Sequence, residues 1–358
     1  MKQHIKLCSL LFLAACAAGC GKKEKGVVDA EQPPASPEST DFDSLMKKGV
    51  NSVAQRETGT AIEVATKALE LRPESAEAHL LAGQAAYQGE DFKQARENFS
   101  AIVKEMSLPS ALRAKAYVGL GQVHFAEHKY DLARISFLQA NWLDPQNEAA
   151  LYCLGRVYSS ERNYHFLVAA RDLYQMFECL SERSHPGNSR AKRVREKIIP
   201  ELSREIAAQK EPNTGNATKA AQLVQEARLL REKKQLTAAK KKYDEARKTD
   251  PQSYYAALGY AELVRETEKT SEGVKKAIEA YMKASFLKPG LPENYLEAAR
   301  LARTNNFSIQ AAEIMNRAIA HHPQNREVLD QLIAALQKNG QKDLSDAWDE
   351  YRKALKRR

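Results

Sequence analysis

Prolines at a near-constant spacing constrain this chain more than any other feature. Arg72-Pro73, Asp144-Pro145, Asp250-Pro251, Lys288-Pro289 and His322-Pro323 each close a stretch in which apolar residues recur with helical period. Pro73 and Pro145 stand 72 residues apart, two units with a few residues inserted, and Pro251, Pro289 and Pro323 stand 38 and 34 apart. Proline has no amide proton and disfavours helix at the residue before it, so each one ends a helical segment. A short helical unit written many times cannot bury its apolar face alone. It must stack on copies of itself. The fold predicted is therefore all-α. Composition agrees: 43% hydrophobic and 28% charged residues are ordinary globular values. Five cysteines in 358 residues exclude a disulfide-stapled scaffold, and a mean hydropathy of -0.57 excludes a multi-span membrane protein.

Within the units, residue types recur at fixed places. Ala114–Asn147 carries Tyr117, Leu120-Gly121, Ala133, Phe137, Ala140 and Pro145. Gly121 and Ala133 are small where two helices of one unit cross closely. Leu120, Phe137 and Ala140 fill the space between units. The same register holds for Gly83, Ala95 and Phe99, for Ala239, Tyr243 and Ala246, for Ala277, Tyr281 and Ala284, and for Ala299, Ala311 and Ala318. In the unit opening at Glu148, the second helix fits only with Ala170 and Tyr174 shifted by three residues. The last pair, from Arg326, is placed on Leu332, Ala347, Tyr351 and Ala354. The pattern resembles the tetratricopeptide repeat, with Tyr117 for the family's Trp and His124 for its Tyr. The resemblance implies a helical solenoid of about eight helix pairs, ending in a capping helix, and covers nearly all of the chain after residue 41.

The first residues read as an address. Met1 to Lys6 is a short basic region, Leu7 to Ala15 a short apolar one, and small residues with cysteines follow. The apolar run is too short to span a bilayer. Leu13-Ala14-Ala15-Cys16 and Ala17-Ala18-Gly19-Cys20 both resemble a bacterial lipobox, so Cys16 or Cys20 is the expected acylation site. Acyl chains contribute about 0.8 kcal/mol per buried CH₂. No Asp follows either cysteine, and by resemblance the expected location is the outer membrane, facing the periplasm. Residues 1–19 are then the signal peptide. Residues 20–41, charged and Pro- and Ser-containing with almost nothing apolar, are a predicted disordered tether.

The register breaks between 185 and 217. Arg190–Gln209 is a basic amphipathic stretch with Pro200 inside it, followed by a loop-like Lys210–Asn216. The expected organisation is one repeat array over 42–184, a basic helical connector over 185–217, and a second array over 218–358. The positive charge is local: Asn188 to Lys248 holds 17 Lys/Arg and 8 Asp/Glu, a difference that equals the net charge of the whole chain, +9.

No nucleophile elbow, P-loop or zincin motif is present, so no catalytic residue, metal ligand or cofactor is assigned and the chain is read as a non-enzyme. His124 and His128 share a helix face, but His124 fills a packing position. His321-His322 reads as ordinary surface. Cys153 and Cys179 lie on opposing helices of one unit, bonded or free. The family binds partners on its concave face, at positions 5, 9 and 12 of each first helix. Here these include Tyr87, Phe125, Tyr152 and Arg156 in the first array and Arg228, Arg231, Arg300 and Arg303 in the second. Aromatic residues and Arg suit a protein partner. Position 9 is never Asn, so the family's carboxylate clamp for chaperone tails is absent. The function expected is a lipid-anchored scaffold for protein–protein interaction in envelope assembly or secretion, holding a peptide segment in its groove. The alternative is binding of an anionic glycan, polymer or lipid head group by the basic connector. Nucleic acid is not an expected partner of an exported chain.

Overall fold

The computed structural model describes residues 37–209 and 215–356. The expected signal peptide, both candidate acylation cysteines and most of the expected tether lie outside the described residues. Those residues fall into two compact units, one ending at Val157 and the other beginning at Tyr158.

The first unit contains α1 (Pro37–Gln55), α2 (Thr58–Leu71), α3 (Ala76–Gln88), α4 (Phe92–Lys104), α5 (Ser110–Ala126), α6 (Tyr130–Leu143) and most of α7 (Glu148–Ser160). Helix α1 starts five residues before the predicted array. The second unit contains the end of α7, then α8 (Tyr164–Ser184) and the connector. Beyond the connector come α11 (Ala217–Glu232), α12 (Leu236–Thr249), α13 (Tyr254–Thr267), α14 (Ser271–Leu287), α15 (Pro292–Thr304), α16 (Ser308–His321), α17 (Arg326–Lys338) and α18 (Lys342–Ala354). Among the described residues there is no strand. Side-chain caps open many of the helices. Ser75 accepts from Ala78 N–H, Asp91 from Gln94, Asn216 from Lys219, Thr270 from Gly273 and Asn325 from Val328. Such a cap contributes about 1 kcal/mol.

In several pairs the repeat geometry turns on one aromatic ring of the second helix. Phe99 of α4 is 1% exposed. A Cβ added at Gly83 of α3, or at Gly119 of α5, would lie 2.6 or 2.5 Å from its ring. The ring thus lies between the first helix of its own repeat and the first helix of the next. Tyr243 stands likewise against Gly259, and Phe137 against Gly121. Ala133, Ala140, Ala239 and Ala246 have no exposed surface, as the register requires.

A second regularity lies in the turns. Arg56, Glu90, His128, Arg162, Lys234 and Asn306 have φ between 50° and 65°, and Gly340 has φ 73°. All seven follow the first helix of a pair, where one left-handed residue reverses the chain. Only Gly340 takes that conformation without strain.

The connector is segmented: α9 (Ser189–Arg193), a π-helical turn (Val194–Ile198) and α10 (Ile199–Ala208). Ile199 N–H donates to Val194 C=O, a five-residue step. The next residue, Pro200, has no N–H to offer. The chain widens before the proline and restarts with it in the first turn of α10.

Helix α8 does more than close a repeat. Ala170 and Tyr174 are buried at their shifted places, and the N-terminal end of α8 packs within the second unit against residues of α14, α15 and α16. The Tyr164 ring stacks on Phe286 with centroids 3.8 Å apart. The Tyr295 hydroxyl lies 2.9 Å from His165 Nδ1. His321 stands edge-on to His165 at 5.8 Å, and its Nε2 is buried without a hydrogen-bond partner among the described residues. His322 Nε2 lies 3.0 Å from the Pro289 carbonyl. The reading of His321-His322 as ordinary surface is therefore corrected: both rings are packed and half-buried. In the last pair, Tyr351 is buried as expected. Ala347 and Ala354 are only half-buried, and Ser345 and Trp348 occupy the packed positions instead. Cys153 is buried and Cys179 exposed, and neither is in a disulfide.

Candidate functional site

In the second unit the first helices α11 and α13 lie side by side and enclose a groove of about 380 Å³. Its walls include Arg228 and Arg231 from α11 and Tyr255, Leu258 and Glu262 from α13, with Tyr243 of α12 between them. Gly259 is part of the floor because only hydrogen fits beside Tyr243. Burial raises the Tyr243 pKa; Arg228 and Arg231 pull it the other way. The phenol stays neutral.

Two kinds of arginine occupy this face. Arg231 is engaged: Nη1 donates to Glu262 at 2.5 Å, and Nη2 donates to Glu266. Arg228 is exposed and lies over the Tyr255 ring at 5.5 Å. Tyr255 is itself 54% exposed. The pairing continues along the first helices. Arg265 and Arg300 each donate to Glu297 at 2.5 Å. Burial pushes the Glu297 carboxyl up, but these two hydrogen bonds outweigh it and hold it below its usual range. The Arg231–Glu262 rung thus ties α11 to α13 and the Arg265–Glu297 rung ties α13 to α15, while Arg300–Glu297 lies within α15. Glu262, Glu266 and Glu297 offset Arg231 and Arg300 from within the chain. Arg303 is half-buried on α15.

The first unit offers less. Tyr87 and Tyr152 are 8% and 4% exposed, so both rings belong mainly to the interior. Phe125 is half-buried, with Arg156 over its face at 4.6 Å and Tyr130 edge-on at 5.4 Å. The structure therefore brings Arg228 and Arg231 together in one groove, separates them from Arg300 and Arg303 by one repeat, and buries two of the predicted aromatics. Tyr255, the exposed ring of the groove, falls outside the positions the family rule selects. Its signal was local: an aromatic in the first turn of a helix, with a basic neighbour one repeat earlier. On the connector, Arg195 donates to Glu178 at 3.0 Å and lies 3.9 Å from Glu182, so part of that charge is held internally. Among the described residues, no three His, Cys, Asp or Glu side chains converge to hold a metal ion, and no helix is long and apolar enough to cross a membrane.

A family profile described as tetratricopeptide repeat matches residues 47–108. The anaphase-promoting complex subunit 3 of Schizosaccharomyces pombe is 25% identical over 130 residues, 36% of this chain and 18% of that protein. The chain thus spans under a fifth of that relative's length. Among solved structures, pilF of Pseudomonas aeruginosa is 18% identical, with 72% of this chain and 97% of that one covered and a TM-score of 0.36. A tetratricopeptide repeat protein of Parabacteroides merdae is 12% identical, covering 83% and 99%, with a TM-score of 0.33. Residues 47–108 thus match the tetratricopeptide repeat, and the described residues carry the same paired-helix pattern on beyond them.

Proposed function

We propose that this chain is a non-enzymatic, lipid-anchored scaffold of a bacterial cell envelope, and that its second unit holds a peptide segment of a partner protein in the groove between α11 and α13. The fold is one used for protein–protein interaction, and its members bind peptide segments of their partners. One observation carries the choice of groove: Arg228 and Tyr255 are exposed on a frame that Arg231, Glu262 and Glu266 hold fixed. An exposed guanidinium beside an exposed ring can pair with a carboxylate and cover an apolar side chain in the same contact. Because the frame is already paired, binding orders few further side chains, which favours affinity. The address rests on the apolar segment followed by Cys16 and Cys20.

A photocrosslinking residue placed at Tyr255, and separately at Lys219 on the exposed face of α11, tests the groove in the native envelope. The expected result is one protein captured from Tyr255 and absent from Lys219, with the yield lost in Arg228→Ala. The same captures from both positions would reject the groove. For the address, mass spectrometry of the mature N-terminus should find an acylated Cys16 or Cys20, and an unmodified N-terminus beyond Ala18 would reject the anchor.

A further inference from the structure

A second recess in the same unit is built from different helices. It runs between the second helices α12 and α14, over α13, and measures about 580 Å³. Arg247 and Lys248 stand on one wall, Lys276, Glu279 and Lys283 on the other, and Tyr260 with Ala257 and Ala280 lies between them. The first unit has the same recess between α2 and α4, over α3, with a volume of about 290 Å³. The two can be superposed in sequence, on Pro73 and Pro251 for the first wall and on the fully buried Ala95 and Ala277 for the second. Five lining positions then correspond. Leu69, Glu70, Ala82, Gln94 and Asn98 in the first unit stand where Arg247, Lys248, Tyr260, Lys276 and Ala280 stand in the second. The repeat framework therefore does not require these residues. Three neutral or acidic positions have become cations, and an alanine has become an aromatic ring.

The cations are held but not consumed. Asp244 pairs with Arg247 at 2.8 Å and with Lys248 at 2.6 Å, and Glu272 lies 3.9 Å from Lys276. The Lys248 and Lys276 side chains remain 74% and 48% exposed, and exposed pairs of this kind are weak enough for an incoming carboxylate to share. The Arg247 guanidinium carbon lies over the Tyr260 ring, 4.0 Å from its centroid, which holds the group at the wall. At the end of the recess Ser253 precedes α13, yet its hydroxyl makes no capping hydrogen bond to the first turn. Ser253 lines the recess together with Arg247 and Lys248.

We propose that this recess binds an acidic segment of a partner protein in which carboxylate and apolar side chains alternate. The carboxylates pair with Arg247, Lys248, Lys276 and Lys283, and the apolar side chains reach Tyr260 and the alanines beneath. A peptide fits better than a bilayer surface, because the ring lies between two helical walls that a flat head-group layer meets only at their rims. The site is separate from the α11–α13 groove and does not depend on it.

The test uses the full chain at physiological salt and a fluorescein-labelled decapeptide alternating Glu and Leu, with a Lys and Leu peptide and phosphatidylglycerol vesicles as comparison probes. Lys276→Gln with Lys283→Gln should weaken acidic-peptide binding roughly tenfold, the size expected for losing about 1.4 kcal/mol. Tyr260→Ala should weaken it further for the alternating peptide than for an all-Glu one. Lys192→Gln with Lys197→Gln, an equal loss of charge on the connector, should leave affinity unchanged, as should Tyr255→Ala in the other groove. Circular dichroism checks that each variant is folded. Equal weakening by the recess and connector pairs would overturn the proposal, as would binding of the vesicles but not the acidic peptide, or binding of neither.

Discussion

Lowering the pH should loosen the second unit through two buried imidazoles. Burial, reinforced by His321 and Arg317, pushes the His165 pKa down to about 3. Burial and His322 push His321 down to about 4, against the opposing pull of Asp172. The other polar groups around them are Tyr164 and Arg171 on α8, Tyr295 and Glu293 on α15, and His322 after α16, none of which puts a carboxylate against His165. The sign follows from proton counts. Below pH 6.5 the unfolded chain takes up protons on these residues and the folded one does not, so stability falls as pH falls. Between pH 7.5 and 5 this amounts to about 2 kcal/mol for His165 and as much again for His321, against native stabilities of about 5–15 kcal/mol. Most carboxylates do not titrate in that window. Urea unfolding followed by the fluorescence of Trp348, with Trp142→Phe to silence the first unit, reads the effect. The midpoint should drop steadily from pH 7.5 to 5, and His165→Gln with His321→Gln should flatten most of that slope. An undiminished slope in the double variant would show that these imidazoles do not carry it.

Three further outcomes follow from the repeat geometry. Ala133→Leu places three extra carbons at a fully buried crossing and should cost about 1–3 kcal/mol, seen as a lower thermal midpoint for the first unit. Phe99→Ala should cost about 3–5 kcal/mol, and hydrogen exchange should rise in both α3 and α5, because the ring touches glycines of both. Lys234→Gly should stabilise the second unit by about 0.5–1 kcal/mol in urea titration, since Lys234 is exposed at φ 58° where glycine carries no steric penalty; a loss of stability there would mean the left-handed turn is not strained.

What could be read from the sequence was whatever recurs at short range. The Ala-x₃-aromatic spacing located Ala133, Phe137, Ala239 and Tyr243 because the same contact is made in repeat after repeat. It also absorbed the irregular α8, through the shift of Ala170 and Tyr174. The contact between His165 and Tyr295 spans 130 positions and occurs once, so no period announces it. Histidine adds to the difficulty, being equally at home on a surface and in a core. The last pair failed for a related reason. There Trp348 and Ser345 take the buried places and Ala347 and Ala354 are half-buried, so the helix is rotated away from the shared register. The left-handed turn residues were invisible for a simpler cause: six of the seven are not glycine.

The candidate sites separate along the same line. Positions that repeat identify a face, and departures from the repeat identify what the face is for. On the first-helix face, Arg231, Arg265 and Arg303 recur at one repeat position, and Glu262 and Glu297 of the next first helix meet the first two. Their recurrence belongs to the stacking of repeats, and replacing Arg231 or Arg265 should read out as stability more than as affinity. Arg228 with Tyr255 does not recur: the corresponding residues one repeat later are Glu262 and Glu293, and no exposed ring accompanies them. The same reasoning singles out Tyr260 with its surrounding cations, because the first unit holds Ala82 among neutral and acidic side chains at the matching recess. A salt titration separates the classes physically. Rungs between half-buried partners lie closer than the roughly 8 Å screening length at physiological ionic strength and should persist as salt rises. Attraction of an acidic segment from solution acts over longer distances and should weaken, so partner binding should fall with salt well before the fold does.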